Sequence, residues 1–197
     1  PNKKFYLVKK KVLGWKDLGN LNYYVYPHNL KKFYKKFFPL NVLLNFLLKL
    51  IIKIKFKISK EHNFLIFKIV NENFNNSRYN NKDYKFHHNK DYKLIYKIVD
   101  NKKYNNAKII YLIDVLPLTE KNLEKSIKEF NKLKIDFDAV VYIGKLKTTP
   151  RNFLKIPDLI LKKQTYVSGK ILDPSQIKEK IFNISNWNIN LSNFDIK

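Results

Sequence analysis

Lysine is the side chain through which this sequence can do most of its chemistry. Of its 197 residues, 40 are lysine or arginine and 16 are aspartate or glutamate, and only Arg78 and Arg151 are arginine. Lysines that neutralise phosphates release counterions, so lysine-rich surfaces bind polyanions with an affinity that falls steeply with salt. The formal net charge of +24 therefore favours a nucleic acid as partner, with an anionic membrane surface or an acidic protein as alternatives.

Residue types that hold metals or act as catalysts are scarce. Cysteine is absent, which excludes disulfides and thiolate metal sites. The adjacent His87 and His88 lie in a polar stretch without carboxylates at metal-ligand spacing, and no glycine-rich phosphate-binding motif occurs. Asp136 and Asp138 are two residues apart and do not share a helix face, so we interpret Asp138 as a structural hydrogen-bonding group. We predict no enzymatic activity, no cofactor and no metal.

Residues 1–60 are predicted to form a basic N-terminal arm and a helix. Residues 1–38 mix lysines with aromatic residues and indicate an extended arm or a short helix. The charge-free run over residues 37–48 is too short to cross a bilayer and predicts a buried helix. Over residues 52–58, apolar side chains alternate with lysines, which predicts a half-buried strand with a lysine face.

Residues 61–116 are predicted to form a divergent, β-rich region. Segments rich in Ile, Val, Tyr and Phe predict strands over residues 64–70, 92–99 and 107–116. The stretch between the first two, residues 71–90, is rich in asparagine, lysine and tyrosine. Its low complexity predicts a solvated loop or an insertion.

A helix is predicted to open the next region, residues 117–184. Pro117 interrupts the strand pattern, and Thr119 is a good N-cap. Leu123, Ile127 and Phe130 recur at helical spacing and define an apolar side. The opposite side holds Lys121, Lys125, Lys128 and Lys132.

Residues 137–175 contain the most distinctive sequence. They begin with FDAVVY, continue through a basic segment that contains Thr149, and end with YVSGKILDPS. FDAVVY predicts an acidic helix end running into a compact apolar patch. YVSGK predicts a strand entering a tight turn, with a positive φ at Gly169 and with Lys170 just past the bend. ILDPS predicts a return strand closed by Pro174.

This order resembles the alpha-L RNA-binding motif of the small-subunit ribosomal protein number four family. Its hallmark positions are occupied here by Asp138, Val140, Val141, Tyr142, Thr149, Val167, Gly169, Lys170, Pro174 and Ser175. The likeness covers about a fifth of the chain and departs from the family at Pro150, Pro157 and Asp158, where the family has a basic helix. In the family, short helices pack beside a small sheet, and the loop near Thr149 faces RNA.

The resemblance also implies which residues contact RNA. Carried over by position, they are Lys145, Lys147, Thr149, Arg151, Lys155, Lys162, Lys163, Tyr166 and Lys170. RNA helices are recognised mainly through shape, phosphates and 2′-hydroxyls, and an aromatic ring can stack on a base, which is the role implied for Tyr166. For any single lysine a solvated surface position is the simpler interpretation, so the cluster as a whole supports the RNA contact.

The expected fold class is α+β, with a small alpha-L RNA-binding domain near the C-terminus, a basic and partly extended N-terminal region, a β-rich insertion, and a tail over residues 185–197. The resemblance implies a structural constituent of the ribosomal small subunit that binds its rRNA beside neighbouring ribosomal proteins, with mRNA nearby. One alternative is a basic accessory subunit of a mitochondrial inner-membrane complex, without a stable membrane span, that lies on lipid through residues 33–58. Another is a non-ribosomal RNA-binding protein.

The composition favours the mitochondrion as the compartment. Lysine, asparagine, isoleucine, phenylalanine and tyrosine are abundant, and their codons are rich in A and T, as is typical of organelle genomes. Together with the resemblance, this predicts an organelle-encoded protein of the matrix ribosome, which needs no targeting signal.

Overall fold

The computed structural model describes residue 8 and residues 10–29, 64–67, 69–80, 83–161, 164–173, 175 and 179–193. These residues form the α+β fold that the sequence predicted, with more sheet than helix. The strands are β1 (Lys16–Asn20), β2 (Asn22–Pro27), β3 (Ile66–Phe67), β4 (Lys85–His88), β5 (Lys93–Asn101), β6 (Ala107–Leu116), β7 (Ala139–Gly144), β8 (Leu154–Ile156), β9 (Tyr166–Gly169) and β10 (Trp187–Asn188). The helices are α1 (Glu72–Tyr79) and α2 (Glu120–Lys132).

A mixed sheet organises the described residues. Six strands lie in the order β4-β5-β6-β7-β2-β8. Strands β6 and β7 are parallel, and the other neighbouring pairs are antiparallel. A parallel pair needs a crossover connection, which α2 supplies. Outside this sheet, β1 pairs with β9 in antiparallel fashion, and β3 pairs in parallel with β10.

Different elements cover the two faces of the six-stranded sheet. On one face, α2 contributes Leu123, Ile127 and Phe130, which are all buried and confirm the predicted apolar side of that helix. The opposite face is covered by α1, by the β1–β9 pair and by residues 184–191, which pack on Ile95, Ile113 and Ile143. The described residues therefore form three layers, with the sheet in the middle.

The FDAVVY segment is a strand, so the helix end predicted there is wrong. Strand β7 lies between β6 and β2. Val140 and Tyr142 belong to the cluster under α2, whereas Val141 and Ile143 pack in the opposite layer. A continuous run of apolar, partly β-branched residues is typical of a strand covered on both faces, and this tertiary setting overrides the helical expectation.

Asp138, just before β7, has the structural role that the sequence predicted. It is buried, and its carboxylate accepts the backbone N–H of Lys108 at 2.8 Å. Its carbonyl oxygen accepts the N–H groups of His28 and Asn29, both at 2.9 Å. Asp138 thus connects β7, β6 and the end of β2.

Residues 137–175 do not fold as the predicted helix-plus-turn unit. Their described positions contain β7, β8, a 3₁₀ turn at Asp158–Ile160 and β9, but no α-helix. Strand β9 is present where YVSG predicted it, yet its partner is β1 instead of a return strand. Pro150 and Pro157 interrupt the stretch in which a basic helix would have to form, because proline removes a backbone donor and clashes with the preceding turn.

Gly169 lies at a close contact between β9 and β1 and not in the predicted turn. Its φ is not positive, unlike those of Gly14 and Gly19. A Cβ added at Gly169 would lie 3.1 Å from Leu18 Cδ1, closer than most real contacts of this kind. The glycine therefore permits the close packing of β9 on β1.

The N-terminal region is built into the sheet, so the predicted arm is wrong over residues 16–27. Strand β2 lies between β7 and β8, with Tyr24 buried under α2. The sheet therefore takes strands from residues 1–60, 61–116 and 117–184 alike. The predicted helix over residues 37–48 and the predicted strand over residues 52–58 lie outside the described residues.

Residues 71–80 and 85–88 of the asparagine-rich stretch contain α1 and β4, which corrects the loop predicted there. Asn71 caps α1, because its side chain accepts the N–H of Phe74 at 2.8 Å. Tyr79 at the other end of α1 is buried and meets Tyr84 and Phe86 edge to face, which fastens β4 beside it. The strand predicted over residues 64–70 is reduced to the two residues of β3.

A bulge in β6 creates a buried polar cluster beneath α1. The register of β5 against β6 shifts so that Ile95 pairs with Asp114 and the next residue pairs with Leu112. An extra residue in one strand turns two consecutive side chains to the same face. Asp114 therefore accepts hydrogen bonds from Tyr79 Oη at 2.9 Å and from Asn190 Nδ2 at 2.9 Å, and it joins α1, the sheet and the C-terminal segment.

Candidate nucleic-acid interface

The loop over residues 145–153, which we call the basic loop, is fixed at both ends. It follows β7, and the N–H of Lys145 donates to the Ile189 carbonyl at 2.8 Å. At its far end Phe153 is completely buried in the core under α2. Leu146 packs partly against the same core. The basic loop is therefore a preformed surface element.

Helix α2 supplies carboxylates that hold the middle of the basic loop. Glu120 Oε1 accepts the N–H of Thr148 at 3.1 Å, and Glu124 Oε1 accepts the N–H of Arg151 at 2.7 Å. Glu120 is set in the first turn by the N-cap Thr119, whose hydroxyl accepts the N–H of Asn122 at 3.1 Å. The predicted cap is confirmed. The two glutamates offset part of the local positive charge while they fix the backbone.

The basic loop presents some of the predicted contact residues to solvent. Lys147 and Arg151 are exposed, and Thr149 is half-buried. Lys155 is exposed on β8, the edge strand next to the loop. Among the described residues, neither Lys147, Arg151 nor Lys155 forms an ion pair. These cations are available to an external anion.

Several lysines elsewhere are neutralised locally. Side-chain ion pairs join Lys97 to Asp83 at 3.4 Å, Lys108 to Asp136 at 2.8 Å, Lys125 to Asp91 at 2.6 Å and Lys132 to Glu129 at 2.7 Å. These pairs include two of the four lysines predicted on the polar side of α2. These four lysines are therefore less available to an external anion than Lys147, Arg151 and Lys155.

Lys145 differs from the other basic residues of the loop because it is half-buried. Its Nζ donates to Asn22 Oδ1 at 3.4 Å. Burial, and then the charge of Lys155, lowers the pKa of the Lys145 ammonium, while Asp158 acts in the opposite direction. The charge of Lys155 thus disfavours the protonated form of Lys145.

The remaining predicted residues lie apart from the basic loop or outside the described residues. Tyr166 is half-buried on β9, opposite Asn20 of β1, and Lys170 is exposed just after β9. Both belong to the pair of strands that covers the α1 face of the sheet, so they are positioned by a different element. Lys162 and Lys163 lie outside the described residues.

Three residues that shape this surface are not among those predicted from the sequence. Asn22 contacts Lys145 from β2, and Glu120 and Glu124 hold the loop from α2. Glu120 could be recognised as a first-turn acid after the N-cap, which is favourable at a helix N-terminus. Its bond to Thr148, which is 28 residues away, depends on tertiary structure and leaves no local signal.

No group of three or more His, Asp or Glu side chains among the described residues is arranged to hold a metal ion. His87 lies 3.5 Å from Glu129, and the His28 ring packs 4.6 Å from that of Phe137. None of the helices in the described part of the chain combines the length and hydropathy needed to cross a membrane.

Comparison with known proteins yields no relative: no family model, no curated protein and no solved structure matches this chain. Its function has to be inferred from its residues and their geometry.

Proposed function

We propose that this protein is a structural, non-catalytic RNA-binding constituent of the mitochondrial ribosomal small subunit, where it binds small-subunit rRNA. The observation that supports the proposal is the basic loop. Its backbone is hydrogen-bonded to α2 and to Ile189, while Lys147 and Arg151 extend into solvent without an ion pair among the described residues. The formal net charge of +24 adds a long-range attraction for any polyanion.

A fixed loop favours binding because less conformational freedom is lost when the complex forms. Its lysines can then neutralise phosphates and release counterions. RNA is preferred over DNA, and the ribosome over other particles, on the strength of the number four family motif in the sequence. The support comes from the residues of that motif and not from its fold, since the described positions of residues 137–175 form three short strands and a 3₁₀ turn.

A second candidate is the surface of an anionic membrane, as in an accessory subunit of an inner-membrane complex. Leu159 is 100% exposed and Ile160 is 70% exposed, in the 3₁₀ turn that follows β8 and Lys155. Apolar side chains beside lysines are typical of segments that lie in a lipid interface. The binding experiments therefore also measure binding to anionic lipid vesicles.

Matched charge variants test the RNA proposal. One variant replaces Lys145, Lys147 and Arg151 with glutamine, and the control replaces the exposed Lys90, Lys102 and Lys103. Both remove three positive charges, so a non-specific electrostatic attraction would weaken equally in both. We expect the first variant to reduce the slope of log affinity against log salt by about 2–3, roughly one per lost phosphate contact, and the control by less than about 1.

Fractionation of native organelles separates the two candidates. Sedimentation with the small ribosomal particle supports the proposal, whereas extraction with inner-membrane complexes supports the second candidate. RNA affinity that does not change between low and high salt would reject phosphate-driven binding.

A further inference from the structure

The Lys145 ammonium is poorly satisfied for a half-buried charge. Among the described residues, its one hydrogen-bond acceptor is Asn22 Oδ1, at 3.4 Å. Hydrogen bonds from an ammonium to an anionic oxygen are typically about 2.7–2.9 Å long, and lysine has three N–H donors to satisfy. Burying a charge without good partners is unfavourable. The geometry leaves donors of Lys145 available for an anionic ligand.

A second lysine side chain, that of Lys155, projects from the same face of the sheet. Tyr24 of β2 pairs with Lys155 of β8 in antiparallel register, and side chains directly opposite each other project from the same face. Asn22, two residues before Tyr24, projects from that face too, and its Nδ2 donates to Tyr24 Oη at 3.0 Å. Lys145 reaches the same place from the end of β7. Lys145 and Lys155 therefore both reach the face of β2 that carries Asn22 and Tyr24.

Two compact ammonium groups at one place match a phosphate, whose several oxygens can accept from both. We propose that Lys145 and Lys155 together bind a single phosphate of the RNA backbone, with Asn22 orienting Lys145. This inference rests on the proposed RNA-binding function. We call the three residues the phosphate seat. A bound phosphate replaces the repulsion between the two lysines with attraction to a shared anion.

The phosphate seat makes RNA binding sensitive to alkaline pH. Burial and Lys155 lower the pKa of Lys145, and Asp158 partly opposes them. The other ionisable groups nearby are Tyr24 and Glu120. Burial raises the pKa of the Tyr24 hydroxyl, and the charge of Glu120 raises it further. Lys145 therefore loses its proton at lower pH than an ordinary lysine, and RNA binding weakens with it. An arginine at this position would stay charged.

The test measures binding of the full chain to a labelled RNA hairpin at about pH 7 and about pH 9.5, at constant ionic strength. Lys145→Gln should weaken binding at pH 7 by about tenfold, as expected for one charge-assisted contact, and Lys102→Gln, at an exposed position outside the basic loop, by about twofold. Lys145→Arg should bind as wild type at pH 7 and lose less affinity than wild type on going to pH 9.5.

Direct titration of Lys145 gives a second readout, which does not depend on whether the Lys145→Gln variant folds. In ¹H–¹³C spectra of lysine-labelled protein, with Lys145 assigned through the Lys145→Arg spectrum, its pKa should rise when RNA is added. Lys155→Gln should raise the pKa of free Lys145, because the neighbouring charge is gone.

Several results would overturn the phosphate seat. Equal losses for Lys145→Gln and Lys102→Gln would show that position 145 is not special, and an unchanged Lys145 pKa in Lys155→Gln would show that the lysines do not interact. Binding to phosphatidylglycerol vesicles with no binding to RNA would assign the phosphate to lipid. If RNA affinity depends steeply on salt but does not change when Lys145 and Lys155 are replaced, the phosphate seat alone is rejected. If the protein does not bind RNA at all, the proposed function is rejected as well.

Discussion

Replacing Asp114 tests how the α1 layer is held to the sheet. Asp114→Ala removes the carboxylate that accepts hydrogen bonds from Tyr79 Oη and Asn190 Nδ2, both at 2.9 Å. A buried donor left without a partner costs about 1–3 kcal/mol. With two such donors, we expect the free energy of unfolding to fall by roughly 3–5 kcal/mol, which lowers the melting temperature of a chain of this size by about 6–20 °C.

The assay is urea unfolding of the full chain followed by circular dichroism, with Asp114→Asn as the matched control. The asparagine oxygen can accept from Asn190, and its amide can donate to the hydroxyl oxygen of Tyr79, so this variant should lose about half as much stability as Asp114→Ala. A loss below about 1 kcal/mol for Asp114→Ala would refute the buried network. Equal losses in both variants would show that the negative charge, and not hydrogen-bonding capacity, stabilises the layer.

Three further predictions concern stability and are checked by the same unfolding assay. Phe153→Ala should lower the free energy of unfolding by about 3–5 kcal/mol, because this residue is completely buried. The control Phe86→Ala, at a residue that is 47% exposed, should lower it by less than about 1.5 kcal/mol. Equal losses in the two variants would contradict the anchoring of the basic loop through Phe153. Thr119→Ala should cost about 1 kcal/mol and Thr119→Ser much less, and the cap is wrong if both are neutral. A hydrogen bond from Lys132 lowers the pKa of Glu129, so this carboxylate stabilises the fold above its ordinary pKa and loses that contribution as pH falls through its folded value. Wild type should therefore lose more stability on acidification than Glu129→Gln, and parallel pH profiles would exclude a contribution from this residue.

The elements with a strong local pattern could be predicted from the sequence. Strand β6 has the predicted bounds, β5 lies where a strand was predicted, and α2 has the predicted cap and apolar side. In each, the spacing of apolar residues matches the period of the element, and a turn or proline marks its limit. Helix α1 had no such pattern, because asparagine dominates it and its stability comes from a cap and from the burial of Tyr79.

The errors near the C-terminus have a different cause. In FDAVVY, a short apolar run is compatible with either a helix or a strand, and only its position between β6 and β2 decides for the strand. The basic loop was recognised as a charged segment, but the contacts of Glu120, Glu124 and Asn22 that shape it come from distant parts of the chain. Long-range pairing of this kind is not encoded in local spacing.

The most direct test of RNA binding through the basic loop is ultraviolet cross-linking in the native particle, with the cross-linked peptides identified by mass spectrometry. The loop lies on the surface, with Lys147 and Arg151 exposed beside Lys155. We expect RNA adducts on peptides from residues 145–155 at higher yield than on peptides from residues 85–104. Adducts confined to other segments, or an intact particle that yields none, would contradict the assignment.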